Sequence, residues 1–284
     1  MSTAINIFWF VWSHPLTRGA RVKALARVAN WQIRSRLQGE VIIPWIANQK
    51  LAVKRGMTGA TGNIYVGLHE FPDMAFLLHF LKSGDLFLDI GANVGTYTVL
   101  ASGVCKANSW AFEPDPNTVR ALKRNIEIND LEDLVTVHEF ALGATQREVA
   151  FTVGLDTVNR VATAGEPNCR LIQQKQLDSF VGKSEPIFAK LDVEGYEGEV
   201  LRGGQALLAK DSLQAIEVET ATPGIQEMLS EYQFVKAFYD PFKRMLSTQP
   251  VGLEASNALF VKDFSFVNER VSGSSRIRVL DVLL

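Results

Sequence analysis

Six ionisable residues stand in or beside apolar runs, where a charge is costly unless something pairs with it. Asp89 interrupts Leu86, Phe87, Leu88 and Ile90. Lys190 and Asp192 interrupt residues 187–193, Glu217 and Glu219 interrupt residues 215–220, and Glu113 closes the run over 109–112. In a parallel sheet buried on both faces such groups pair internally or gather at strand ends. Carboxylates at strand ends hold hydroxyls, meet an ammonium, or take a proton from an alcohol. Two acids close together there also suit a hard divalent cation.

The elements that must position these groups are legible in residues 85–102, DLFLDIGANVGTYTVLAS, which read as a short buried strand, a glycine turn and a helix. Such an opening binds nucleotides, because the turn brings backbone close to a ligand and the helix start offers free N–H groups. Counting from Gly91, the second and third glycine positions of a dinucleotide fingerprint hold Asn93 and Thr96, which disfavours a pyrophosphate. The pattern is Asp89-x-Gly91-x-Asn93-x-Gly95, with a carboxylate suited to an ammonium. It resembles motif I of class I S-adenosylmethionine-dependent methyltransferases. Glu113 follows about 20 residues after the turn, where such folds place an acid on the ribose hydroxyls. Residues 134–142 read as a third strand whose end, with Phe140 and Ala141, should border the adenine.

Residues 189–204, AKLDVEGYEGEVLRGG, narrow the resemblance to the FkbM family of S-adenosylmethionine-dependent O-methyltransferases, whose signature is Lys-x-Asp-Val-Glu-Gly followed by Val-Leu and glycine. With the glycine turn, Glu113-Pro114 and Ile216-Glu217-Val218-Glu219, it covers residues 71–262 in the family's order. The resemblance implies an α/β fold, Rossmann-like, with seven mostly parallel strands and helices on both faces. Residues 1–70 would add a helix and strand extension able to touch the acceptor, 71–263 would bind S-adenosylmethionine, and 264–284 would form a tail. The implied acceptor is a hydroxyl on a sugar of a glycolipid or exopolysaccharide, or on a secondary metabolite. A nicotinamide-dependent oxidoreductase and a non-catalytic nucleotide-binding module are the competing readings.

By period-two alternation Lys190 and Asp192 share a face, as do Glu217 and Glu219. With the two strands adjacent, as the family fold implies, Lys190 is expected to pair with Glu217, leaving Asp192 and Glu219 nearer the ligand. Asp192, beside the cofactor, is the first candidate base; Glu219 and His69 are alternatives. A metal-free site is preferred over one in which Asp192 and Glu219 hold magnesium. Asn159, Arg160 and Glu194 are expected beside the acceptor.

With 284 residues, of which 47% are hydrophobic, the chain can bury one full α/β core. A net charge of −2 gives no global attraction to nucleic acid. Along residues 17–37, Val22, Leu25, Ala26, Ala29, Ile33 and Leu37 recur at helical spacing opposite Lys23, Arg27, Asn30 and Arg34. The expectation is a helix packed on the core with a solvated basic face, in preference to peripheral membrane contact. Residues 5–12 are apolar but too short to span a bilayer and lack a signal-peptide pattern. Two cysteines make no disulfide framework and are expected to be ordinary packing residues, which fits a cytoplasmic protein. Residues 40–45, 51–54 and 63–66 read as strands, with 56–62 a turn. Asp73 should cap an almost wholly apolar helix to Leu81, with His79 a core histidine. Residues 149–153 read as an inserted strand, 155–170 as a polar connection and 257–261 as the last core strand.

Overall fold

The computed structural model describes every residue except 1–2, 155–158 and 163–165, so part of the expected polar connection over 155–170 lies outside the described residues. The chain opens with α1 (Thr3–Ser13) and α2 (Arg21–Leu37), the antiparallel hairpin β1 (Glu40–Pro44) and β2 (Lys50–Lys54), and α3 (Thr58–Val66). Then come α4 (Phe71–Phe80), β3 (Leu86–Ile90) and α5 (Thr96–Thr98), which continues as a π-helix over Val99–Val104. They are followed by β4 (Asn108–Phe112), α6 (Pro116–Glu127) and β5 (Val135–His138). A side sheet of β6 (Ala141–Leu142), β7 (Arg147–Thr152) and β8 (Cys169–Lys175) precedes α7 (Asp178–Val181) and β9 (Pro186–Leu191). The chain continues through α8 (Glu197–Arg202), α9 (Gln205–Leu208), β10 (Ala215–Val218), α10 (Pro223–Glu231), β11 (Val235–Asp240), β12 (Met245–Ser247) and β13 (Ala258–Val261). It closes with α11 (Phe264–Ser272) and the hairpin β14 (Arg278–Val279) and β15 (Val282–Leu283).

The central sheet runs β12-β11-β13-β10-β9-β3-β4-β5. From β10 to β5 the pairs are parallel, while β13 is antiparallel to both neighbours. This is the Rossmann-like α/β arrangement, with one strand beyond the expected seven: β12 folds back on β11 at the sheet edge. Strand order reverses between β9 and β3, the position where doubly wound sheets open a crevice at their carboxyl ends. Alternation divides the core. Phe87 and Phe188 pack with α4 residues Phe76 and Phe80, while Leu88, Ile90, Ala189 and Leu191 pack with Val200, Ile225 and Leu229 on the other face. Asp89, Lys190 and Glu217 share the α4 face and stand side by side in register across three adjacent strands.

Several local expectations change. Residues 56–66 hold a helix where a turn and a strand were expected. Gly59 and Gly62 weaken helix propensity and Tyr65 and Val66 favour strand, but burial of Ala60, Ile64, Tyr65 and Val66 against Trp31, Val41 and Val53 decides the outcome. Glu70, not Asp73, precedes α4; Asp73 is buried in its first turn and accepts the Ser256 N–H at 2.8 Å. On α2 the expected inward face is turned out: Val22, Ile33 and Leu37 are 79%, 60% and 80% exposed, while Ala24, Trp31 and Ser35 are buried. Cys169 is exposed instead of packed. His79 sits in the core as expected, its Nδ1 2.5 Å from the Tyr239 hydroxyl. Among the described residues, no helix is long and apolar enough to cross a membrane.

Candidate active site

The carboxyl ends of β3, β4, β9 and β10, with α3, the start of α4 and the side sheet, surround a cavity of about 290 Å³. Of the expected residues, His69, Asp89, Gly91, Asn93, Glu113, Phe140, Ala141, Asn159, Asp192, Glu194 and Glu219 line it. Gly95 and Arg160 do not. Gly95 (φ +87°) heads α5, and a Cβ there would meet the Leu122 side chain at 2.5 Å, so its role is to pack α5 on α6. The Arg160 guanidinium is paired with Glu166 in the side-sheet connection, and its backbone N–H donates to Thr152 Oγ1 at 2.9 Å.

The glycine turn needs its glycine for a specific contact. Gly91 adopts φ +83°, and a Cβ there would lie 1.8 Å from the Asp192 carbonyl oxygen. The turn after β3 therefore presses directly on the end of β9, joining the two walls of the cavity. Glu113 is tied down by peptide groups: Asn93 N–H donates to Oε2 at 3.0 Å and Asp115 N–H to Oε1 at 2.8 Å. Burial pushes its carboxyl up to about 7 against the pull of those donors. Asp89 accepts the Thr98 hydroxyl at 2.5 Å and is raised by burial to about 6, although Lys190 draws it down.

On the other wall the pairing differs from expectation. Lys190 Nζ meets Asp192 Oδ2 at 2.5 Å, and among the described residues neither carboxyl oxygen of Glu217 has a hydrogen-bond partner. Lys190 and Asp192 share a face two residues apart, and the flexible lysine stem extends along β9 toward the cavity instead of across to β10. Burial lowers the Lys190 pKa, but Asp192, Glu70 and Asp89 outweigh it and hold the ammonium firmly charged. The ammonium also lies 4.4 Å from the Tyr97 ring centroid. For Glu217, burial and the nearby Asp73 raise the carboxyl well above its ordinary value, and Lys190 only partly opposes them. Burial in the core thus disfavours the charged form of Glu217.

Asp192 and Glu219 are hydrogen-bonded to each other and titrate as a pair. Burial raises Asp192, but Lys190 overcomes this and holds it below the usual carboxylate range. Glu219 is pushed up to about 8 by burial and by the charges of Asp192 and Glu194. At neutral pH the proton therefore sits on Glu219. Oxygens of Asp192, Glu194 and Glu219 lie within 4.8 Å of one another, a spacing that a hard divalent cation would accept. His69 is lowered by burial, so its imidazole is neutral; it packs edge-on against Phe10 with centroids 5.3 Å apart. Gly62 makes room for it, since a Cβ there would stand 2.5 Å from the His69 ring.

The family model for the methyltransferase FkbM domain matches residues 89–240. The chain belongs to the methyltransferase FkbM family. Among curated proteins, a hexuronic acid methyltransferase, AglP, of Haloferax volcanii is 28% identical over 160 residues, 55% of this chain and 65% of that protein. A ribosomal protein L11 methyltransferase of Chloroflexus aurantiacus is 34% identical over 117 residues, 37% of this chain and 34% of its own. The chain thus spans less than two thirds of the length of these relatives. Among solved structures, the precorrin-6y C5,15-methyltransferase of Geobacter metallireducens is 16% identical with a TM-score of 0.40, covering 68% of this chain and 86% of that one.

In this FkbM-family chain Glu70, Tyr97, Lys190 and Tyr196, none of them expected in the site, also line the cavity. Glu70 accepts the Tyr97 hydroxyl at 2.5 Å. Tyr97 was legible only as part of the helix after the glycine turn, and Glu70 only as a neighbour of His69. Lys190 was assigned to structure, although sharing a face with Asp192 was the available signal. Buried Glu197 shapes the loop after β9, accepting the N–H groups of Val193 at 3.3 Å and Gly195 at 3.1 Å. Glu194 sits in that loop with φ +54°.

Proposed function

We propose that this chain is an S-adenosylmethionine-dependent O-methyltransferase acting on a sugar hydroxyl. One observation carries the reading: a single cavity runs from Glu113, held by peptide N–H groups, to the Asp192 carboxylate, paired with Lys190 at 2.5 Å, and the neighbouring Glu219. Glu113 retains lone pairs for the two ribose hydroxyls, the Gly91 turn lets backbone approach the ligand, and Phe140 with Ala141 offers an apolar wall to adenine. The donor set therefore fits S-adenosylmethionine, which supplies a methyl group activated on a sulfonium.

The remaining work falls to the chain. Aligning an acceptor oxygen with that methyl group can supply much of the rate, since effective molarities reach roughly 10⁵ M or more. The acceptor hydroxyl must also lose a proton, and Asp192 is its first acceptor, with Glu219 sharing the charge that develops. Lys190 fixes the Asp192 carboxylate from behind. His69, Asn159 and Glu194 offer polar contacts to a sugar, the acceptor class of the archaeal hexuronic acid methyltransferase.

The test is transfer of isotope-labelled methyl from S-adenosylmethionine to a panel of glycosides and uronic acids. An alkali-stable methyl ether is the expected product. An alkali-labile ester would overturn the hydroxyl assignment, binding of NAD in place of S-adenosylmethionine would favour an oxidoreductase, and binding without transfer to any acceptor would leave a non-catalytic module.

A further inference from the structure

The two N-terminal helices turn apolar faces to solvent. On α1, Ile5, Phe8, Trp9 and Trp12 recur at i, i+3, i+4 and i+7, and Ile5, Phe8 and Trp9 are 45%, 38% and 57% exposed. The opposite side of the same helix is packed: Val11 is buried, and Phe10 meets His69 and His14. On α2, the outward Val22, Ile33 and Leu37 form a second unpartnered row together with Ala26 and Ala29. A surface helix that buried its apolar stripe in the protein would show the reverse pattern.

Charge identifies the occupant. Residues 1–39 contain six of the chain's 29 basic residues and none of its 31 acidic ones. Arg18, Lys23 and Arg36 are exposed, and the Arg21 guanidinium lies 4.7 Å from the Trp12 ring centroid. Exposed tryptophan and phenylalanine on a helix bordered by arginine match the interface of an anionic bilayer, where indole rings sit at headgroup level and cations meet lipid phosphate; Lys23 is paired with Asp281 at 3.0 Å, and Arg18 and Arg36 supply the exposed positive charge. We propose that α1 and α2 dock this protein on an anionic phospholipid surface, lying in the interface without crossing it. Because Phe10 on α1 touches His69 in the cavity wall, docking would hold the cavity beside the bilayer. The docking itself does not depend on the transfer reaction.

Flotation of the full chain with vesicles tests this. Binding is expected to phosphatidylcholine vesicles containing about one third phosphatidylglycerol, to be weakened by high salt, and to fall at least roughly tenfold on pure phosphatidylcholine. The variants Phe8→Ser/Trp9→Ser and Val22→Ser/Leu37→Ser, checked for an unchanged thermal melt, should each lose roughly tenfold or more. If a variant does not fold, quenching of wild-type tryptophan fluorescence by brominated phosphatidylglycerol provides the second measurement, and strong quenching is expected. Wild-type protein that neither floats nor is quenched overturns the proposal. So does a stable dimer in sedimentation that these substitutions split into monomers without any vesicle binding, because the faces would then pair two copies of the chain.

Discussion

The two walls of the cavity treat their acids in opposite ways. On the β3–β4 wall the hydrogen-bond donors to the acids are neutral: the Thr98 hydroxyl to Asp89 and two peptide N–H groups to Glu113; behind the wall, Asp115 accepts the N–H and hydroxyl of Thr118 at the start of α6, with the Arg170 guanidinium 3.7 Å away. On the β9–β10 wall acids face one another. Asp192 and Glu219 titrate as a pair, Glu217 is raised by burial and then by Asp73, and Lys190 is drawn between Asp192, Glu70 and Asp89. Neutral donors fix a carboxylate in place, whereas crowded carboxylates must distribute protons among themselves. The first wall is suited to holding a ligand and the second to exchanging a proton with one.

The sharpest way to break this contrast is Lys190→Met. It leaves Asp192 without its cation among several acids and should destabilise the fold by roughly 3 to 5 kcal/mol in denaturant unfolding, with turnover lost. A small loss would mean that water reaches this wall and the acids need no buried partner. Next in size is Asp192→Asn, which keeps the shape but removes the charge. Turnover at saturating S-adenosylmethionine should fall by about 10² to 10⁴, with cofactor affinity nearly unchanged. Wild-type kcat should also rise as pH passes through about 8, where Glu219 releases its proton to become a second acceptor. In Asp192→Asn the residual rise should move to lower pH, because one charge that lifts Glu219 is gone. An unmoved profile would separate the two groups.

The ligand-holding wall should respond in binding instead. Glu113→Ala removes the acceptor proposed for two ribose hydroxyls, and hydrogen bonds to a charged group are worth about 1.5 to 3 kcal/mol each. Allowing for water replacing part of that, S-adenosylmethionine affinity should weaken by roughly 2 to 4 kcal/mol, about 30-fold to 1,000-fold in Kd. Calorimetry showing wild-type affinity in a folded variant would remove Glu113 from the cofactor site.

The same contrast marks what could be read in advance. Strand, glycine turn and the acid after β4 were legible because all three lie within one short stretch and their chemistry is local. The buried α4 followed from neighbouring residues in the same way. The side chains of the second wall were legible as residues but not as partners, since Lys190 could reach Asp192 along its own strand or Glu217 across the sheet, and period-two alternation allows both. Elsewhere packing overrode local preference. Gly59 and Gly62 disguised α3, and in β8 exposed Cys169, Arg170 and Leu171 lack the apolar alternation of a half-buried strand. The α2 face was misassigned for a different reason: its apolar stripe is real, but of it only Leu25 packs against the core, while Val22, Ile33 and Leu37 face outward.

The smallest expected effect concerns Glu217, the acid beside the second wall whose two carboxyl oxygens have no hydrogen-bond partner among the described residues. Unfolded, its carboxyl titrates near 4.5; folded, burial first and Asp73 second raise it well above that value. Well below pH 4.5 both states hold the proton, so the group has no effect on the pH dependence there. As pH rises, the unfolded chain releases its proton while folded Glu217 retains it, so stability falls steadily until the folded carboxyl also ionises. Glu217→Gln keeps the size and removes the titration. Wild type and variant should therefore be close in stability at acidic pH, and the variant should be more stable at pH 8 by about 1 to 2 kcal/mol, an amount already discounted for relaxation and water entry at the site. Denaturant melts across this pH range measure the difference directly. Parallel curves would show that Glu217 ionises freely in the fold, and the crowding of acids on this wall would then end at Asp192 and Glu219.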